Sequence, residues 1–222
     1  MPRRCLLLLL FCLLLISCGN SEPTPMPPVP TLPATPTAEV SGIIVAMGDS
    51  LTEGLGVNQA EAYPAQLERK LQEAGHQYTV INAGVSGETS SGALARVDWV
   101  LTLKPQVVIL ATGGNDSLRA IDPALTKENI RQLVQALQSA GVTVVLAGMQ
   151  TVQNLGEAYT TEFRAIYPAV AEEYDLVLIP FFLEGVAGDP KLNQDDFIHP
   201  NAAGYTLVVE TIYPYVLDAL PQ

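Results

Sequence analysis

Ser50 stands in Gly48-Asp49-Ser50-Leu51-Thr52, directly after the apolar run Ile43-Ile44-Val45-Ala46-Met47. Near the other end of the chain stands Asp196-Phe197-Ile198-His199-Pro200. A serine hydroxyl becomes a nucleophile at neutral pH only beside a base, and the base works best with a carboxylate that orients it. This chain supplies all three residue types. Asp196 and His199 are three apart, a spacing that shares one face of a helical turn. The pair can bond to each other and leave the second imidazole nitrogen for Ser50. Pro200 disfavours the α region for His199 and is predicted to open the last helix at its first position. Acyl transfer also needs donors aimed at a developing oxyanion. The Ser50 backbone N–H, the Gly84 N–H and the Asn115 side-chain amide are three candidates, because each follows an apolar run. Glycine at 84 allows close approach of the backbone to a substrate.

These turns are positioned by a regular alternation. Apolar, β-branched runs at Ile43–Met47, Tyr78–Ile81, Val107–Ala111, Val142–Ala147 and Leu176–Ile179 read as five strands. Helical spacing falls between them at Ala62–Ala74, Ser91–Leu103, Thr126–Ala140 and Glu157–Tyr174, and again after the last strand at Asn201–Leu220. Pro168 is predicted to kink or interrupt the fourth of these helices. Continuous apolar strands separated by helices predict a parallel sheet covered on both faces. The carboxyl edge of such a sheet is where ligands bind.

Each of these residues has a plainer reading. Ser50 could cap the helix that follows it, and Asn115 could make an Asx turn. Asp195 competes with Asp196 as the partner of His199. Ser86 is a rival serine with no base near it in sequence. His76 lies in a helix-to-strand loop and reads as solvated, and Asp116 reads as a turn cap. Asp189, Asp195 and Asp196 cluster but lack an EF-hand pattern. The serine is not in Gly-x-Ser-x-Gly, and the chain has no Gly-x-Gly-x-x-Gly after a strand and no P-loop lysine.

The chain has 222 residues, 11 basic and 23 acidic. Arg3 and Arg4 precede an unbroken apolar run, Leu6–Ile16, too short for a membrane helix of about 20 residues and fitting a secretory leader. Leu15-Ile16-Ser17-Cys18-Gly19 resembles the bacterial lipobox. That resemblance implies a leader over residues 1–17, cleavage before Cys18, and lipid on the Cys18 thiol and new amino group. Cys5 and Cys12 leave with the leader, so no disulfide remains. Residues 18–41, rich in Pro and Thr, read as an extended tether reaching roughly 60 Å. Two of the 11 basic residues also leave with the leader, which brings the net charge near −14. Such acidity excludes a nucleic-acid partner and electrostatic docking on an anionic membrane. Residues 42–222 are then one folded domain, held at a bacterial membrane outside the cytoplasm. The sequence leaves its oligomeric state open.

Four blocks together resemble the SGNH (GDSL) hydrolases: Gly48-Asp49-Ser50-Leu51, Asn82-Ala83-Gly84, Gly113-Gly114-Asn115-Asp116 and Asp196-x-x-His199. Gly84-Val85-Ser86-Gly87-Glu88-Thr89-Ser90, Ile166-Tyr167-Pro168 and Pro180-Phe181-Phe182-Leu183 are most similar to its arylesterase, thioesterase I and lysophospholipase L1 branch. The resemblance spans Ile43 to Leu220. It implies a flavodoxin-like three-layer α/β/α sandwich with a central five-stranded parallel sheet, and a serine esterase without metal or cofactor. It further implies Ser50 as nucleophile, His199 as base, Asp196 as its orienter, and Ser50, Gly84 and Asn115 as oxyanion donors. Aryl esters, lysophospholipids and acyl thioesters are the implied substrates, and the loop Met149–Leu155 is a candidate wall for the acyl chain. Two alternatives share these residues: a carbohydrate O-acetyl esterase or acyltransferase, and a lipid-binding lipoprotein without catalysis.

Overall fold

The computed structural model describes residues 41–151 and 155–221. The expected leader, Cys18 and the tether lie outside the described residues. Five strands form one parallel sheet: β1 (Gly42–Gly48), β2 (Tyr78–Gly84), β3 (Val107–Ala111), β4 (Thr143–Ala147) and β5 (Val177–Ile179). Their order is β2-β1-β3-β4-β5. In register, Gly48 lies level with Gly84 of β2 and with Ala111 of β3. Chain order therefore reverses on either side of β1, and the crevice beyond its carboxyl end is the topological switch point where such sheets bind ligands. Ser50 lies there.

Two helical layers cover the sheet. α2 (Tyr63–Glu73) and α8 (Ala202–Asp218) pack together on one face. α3 (Ser90–Ala95), α4 (Val97–Thr102), α6 (Pro123–Ser139) and α7 (Glu157–Tyr174) pack together on the other. Two short helices sit on the carboxyl edge, α1 (Ser50–Glu53) and α5 (Gly114–Leu118). The core is continuous from Ile44 to Leu220; β3 is buried along its whole length.

Three helices differ from their sequence signals. Ser91–Leu103 is two helices, broken at Arg96, whose backbone has φ −119° and ψ 12°. The Arg96 side chain is drawn to the strand ends, as described below. α6 begins earlier than Thr126: Asp122 caps it by accepting from the Ala124 N–H at 2.8 Å, and Pro123 occupies its first position. α7 runs unbroken through Pro168. The proline is on the exposed side, so the carbonyl it leaves unpaired can be hydrated.

The start of α8 matters most for function. Its cap is Asn201, which accepts from the Gly204 N–H at 3.0 Å. Pro200 therefore precedes the cap and does not open the helix. Gly204 packs against the loop that carries His199: a Cβ there would lie 2.1 Å from the Leu192 carbonyl oxygen. Glycine is required for this close approach.

Candidate active site

Ser50 is the first residue of α1. The helix is capped by Asp49, whose Oδ1 accepts from the Leu51 N–H at 3.0 Å. Asp49 thus does the capping that Ser50 might have done, and the serine hydroxyl is free to point elsewhere. It meets His199: Oγ to Nε2 is 2.8 Å. The other ring nitrogen, Nδ1, lies 2.6 Å from Asp196 Oδ2. Asp196 Oδ1 accepts from the N–H groups of Ile198 (2.9 Å) and His199 (3.0 Å). The segment is a tight turn and not a helix, with Phe197 at φ 59°. Its i, i+3 geometry still brings carboxylate and imidazole together, because the Asp196 side chain replaces the missing helical bonds.

Electrostatics fit a general-base relay. Partial burial pulls the Asp196 carboxyl up, but the hydrogen bonds from His199 N–H, its ring and Ile198 N–H outweigh it and hold the pKa at about 2. Asp196 is therefore ionised wherever His199 can act, and can stabilise the imidazolium.

Two unpaired donors lie on or beside the helix of Ser50. Among the described residues the Ser50 N–H has no partner. Asn115 Nδ2 donates to Asp49 Oδ2 at 3.1 Å, which leaves its second hydrogen available. Gly84 departs from the role expected of it. Its N–H donates to Asn82 Oδ1 at 2.9 Å. A Cβ at 84 would lie 2.1 Å from the Glu53 nitrogen, so glycine is needed there to let α1 pack onto β2. Gly84 also lines a cavity of about 460 Å³ with Glu53 and Asn82, distinct from the groove described below. In the same loop Gly87, at φ 77°, has an N–H with no partner among the described residues. Its carbonyl is held by Arg119 at the end of α5, 2.7 Å away, which ties this loop to the helix of Asn115.

An apolar groove of about 650 Å³ adjoins the site, lined by Leu51, Leu118, Met149, Phe181, Leu183 and Ile198 among others. Of the loop expected to line an acyl groove, Met149 is in the lining. Leu155 is not part of the lining, and Val152 lies outside the described residues.

Residues 46–207 match the model of the GDSL-like Lipase/Acylhydrolase family. The chain belongs to that family. Esterase TesA of Pseudomonas aeruginosa is 38% identical over 172 residues, covering 77% of this chain and 86% of its own. Thioesterase 1/protease 1/lysophospholipase L1 of Escherichia coli K12 is 38% identical over 165 residues, covering 74% and 78%. The crystal structure of AlinE4, an SGNH-hydrolase family esterase, has a TM-score of 0.69 and 43% identity, covering 82% of this chain and 98% of its own. The protein is a carboxylic ester hydrolase of α/β fold.

The rival residues of this esterase are otherwise employed. Ser86 donates its N–H and hydroxyl to Glu53. Asp195 and His76 are exposed, and it is Asp196 that bonds His199. Among the described residues no group of three or more acidic, His or Cys side chains is arranged to hold a metal. Asp116 is more than a turn cap. It is fully buried and accepts from the Ser90 N–H (2.7 Å), Ser90 Oγ (2.5 Å) and Thr126 Oγ1 (3.2 Å). Asn129 extends this network to Ser90 and Ser91, so α3, α5 and α6 are locked together beside Asn115.

Two further groups escaped sequence reasoning. Asp49 holds both the helix of Ser50 and Asn115, and burial pushes its carboxyl up to about 6 against the pull of those same hydrogen bonds. An acid directly before the serine was the only signal for it. Arg96 grips Glu88 through two bonds of 2.6 Å and donates to the Ala83 carbonyl at 2.8 Å and the Gly48 carbonyl at 3.3 Å. It staples the ends of β1 and β2 to the loop that holds Gly87. Nothing in the sequence marks an arginine in a helix break as such a staple.

Proposed function

We propose that Ser50, His199 and Asp196 are the catalytic triad of this esterase, acting on esters with an extended acyl chain. The observation that carries this is the unbroken path from Ser50 Oγ to His199 Nε2 at 2.8 Å and from His199 Nδ1 to Asp196 Oδ2 at 2.6 Å. With its proton on Nδ1, His199 takes the Ser50 proton on Nε2 as Oγ bonds the ester carbonyl carbon. The carbonyl oxygen becomes an oxyanion, met by the Ser50 N–H, the free Asn115 Nδ2 hydrogen and the Gly87 N–H. As the tetrahedral intermediate collapses, the C–O bond to the alcohol breaks and His199 returns the proton to the leaving oxygen. Water, deprotonated by the same nitrogen, then releases the acid and frees Ser50.

The substrate reading rests on the groove. An apolar cavity of about 650 Å³ suits an acyl chain of many carbons better than an acetyl group. Aryl esters, lysophospholipids and acyl thioesters are the substrate classes, in keeping with the relatives' names. The lipobox-like Cys18 supports acylation there and a position at the membrane, outside the cytoplasm, where acyl-CoA is absent.

The test is a p-nitrophenyl ester panel of rising acyl length, run on the parent and on Ser50→Ala. We expect turnover that rises from acetyl to medium chains and disappears in Ser50→Ala. Turnover confined to acetyl would transfer the reading to an O-acetyl esterase. A phosphonate ester that leaves the Ser50 peptide unmodified in a mass spectrum would refute the nucleophile. Palmitate labelling that persists in Cys18→Ala would refute the anchor.

A further inference from the structure

Seven large apolar side chains stand open to solvent among the described residues, and they are not spread evenly. Six lie at the carboxyl edge of the sheet. Leu55 follows α1, and Val85 follows β2 with its N–H on the Gly48 carbonyl at 2.9 Å. Leu118 closes α5, and Leu125 is in the first turn of α6. Phe197 and Ile198 lie between Asp196 and His199. The seventh, Trp99, is on α4, in the crossover that returns to the start of β3. Isolated exposed leucines need no explanation, but a set gathered on one edge marks an interaction surface. Phe197 is 57% exposed and holds φ 59°, a backbone state that bulky residues disfavour. An aromatic ring kept outside at that cost gains nothing from the core. Leu118, Phe197 and Ile198 also line the apolar groove, so whatever rests on this rim is continuous with the acyl-binding space.

We propose that the rim is a lipid-docking surface, which enters the interfacial layer of a zwitterionic phospholipid membrane and lets an acyl chain pass from the bilayer into the groove. Charge selects the lipid. Exposed Glu53, Asp122 and Asp195 border the rim, the Arg119 guanidinium there is bonded to the Gly87 carbonyl, and the domain's net charge is strongly negative. An anionic surface would repel this edge, whereas a zwitterionic one admits it through apolar insertion. The chain outside the structure permits the orientation. It joins the domain at Ser41, at the amino end of β1 and so at the opposite edge from Ser50. A domain of this size is about 40 Å across, and a stretch of the Pro- and Thr-rich composition of residues 18–41 can extend to roughly 60 Å, longer than that width. That last step rests on the acylated Cys18 proposed above; the rim does not.

The experiment uses the full-length lipidated protein in phosphatidylcholine vesicles. Trp99 is the chain's single tryptophan, so Trp99→Phe combined with Phe197→Trp puts one indole on the rim. We expect its emission to shift to the blue and to be quenched by phosphatidylcholine brominated near the headgroup, with Trp99 of the parent unaffected. In parallel, Leu55→Ser/Val85→Ser/Leu125→Ser changes rim residues outside the groove. Its rate on a short soluble ester should stay within about twofold of the parent. Its rate on a long-chain ester dispersed in the vesicles should fall about tenfold or more. An unquenched indole at position 197, quenching that requires phosphatidylglycerol, or equal losses on both substrates would each overturn the proposal. So would a parent dimer in sedimentation that this triple variant dissolves, which would assign the rim to a second copy of the chain. Quenching does not depend on turnover, so a failure of the catalytic reading would show separately, as activity retained in Ser50→Ala.

Discussion

The two halves of the active site are built differently. Ser50, the proposed nucleophile, and its proposed donors stand on a buried polar frame: Ser50 is 8% exposed, Asp49 and Asp116 are buried, and Arg96 ties Glu88 to two strand ends. His199, the proposed base, stands on a loop at the surface, where the Asp196 side chain is 44% exposed. The two sides face different demands. Donors must already point at an oxyanion before it forms, because reorganising dipoles during the reaction would cost rate. A base only has to reach the serine and, later, a water, so a local Asx-type turn and the anchor of α8 suffice.

That contrast can be broken at several points. The largest effect is at Ser50: Ser50→Ala should lower kcat/KM for p-nitrophenyl butyrate by about 10⁴-fold or more with the melting temperature hardly changed. Asn115→Ala, on the frame side, should lower kcat by about 10²–10³-fold with KM nearly unchanged. A rise in KM with kcat intact would place Asn115 in ground-state binding instead.

Arg96→Met tests the frame itself. It strands Glu88 without its partner, a change that costs about 3–5 kcal/mol for a fully buried pair and less here, where the Arg96 side chain is 17% exposed. Chemical denaturation should report that loss. Arg96→Lys should recover part of the stability but little of kcat, because an ammonium cannot grip Glu88 and two carbonyls at once.

The two carboxyls should oppose each other with pH. Asp196, held at about 2, contributes stability above its unfolded value near 3.8, and this is lost as pH falls toward 2. Asp49, raised to about 6, does the reverse: its protonated form suits the folded state at low pH, and stability is lost as pH rises through 6. Asp49→Asn should therefore gain melting temperature relative to the parent as pH rises from 4 to 8. It should also lower kcat about tenfold and remove an ionisation near pH 6 from the kcat profile. A pH-independent difference in melting temperature would show that Asp49 is not the titrating group.

The smallest effect belongs to the base loop. Phe197→Gly relieves a left-handed backbone strain of about 1 kcal/mol but frees the unfolded chain, so net stability should move by less than that. Its mark should be a higher KM for long acyl esters, with short esters unaffected.

Much of this was legible in the residues. The inner strands β1, β3 and β4 read directly from their apolar, β-branched runs, because a strand buried on both faces has no reason to alternate; the edge strands β2 and β5 carry shorter apolar runs and are only partly buried. Ser50 was legible as a candidate because it follows a strand run, and Asp196 and His199 because of their spacing of three; the fold brings the three within hydrogen-bond reach. What was not legible is everything set by side chains that cross between elements. Gly84 offered the right residue type at a strand end, yet its N–H goes to Asn82 and its missing Cβ makes room for α1, a packing fact with no local signature. Arg96 broke a helix that its neighbours' spacing favoured, because bonds to Glu88 and two strand-end carbonyls outweigh a turn of helix.

Local pattern thus determined the sheet, its order of helices and the candidates for the reacting groups, since periodicity and turn chemistry are properties of neighbours in sequence. Tertiary structure alone decided which donors are free, which carboxyl is buried, and which apolar side chains gather on one rim. Those depend on what lies within a few ångströms across the fold, and that distance is not written along the chain.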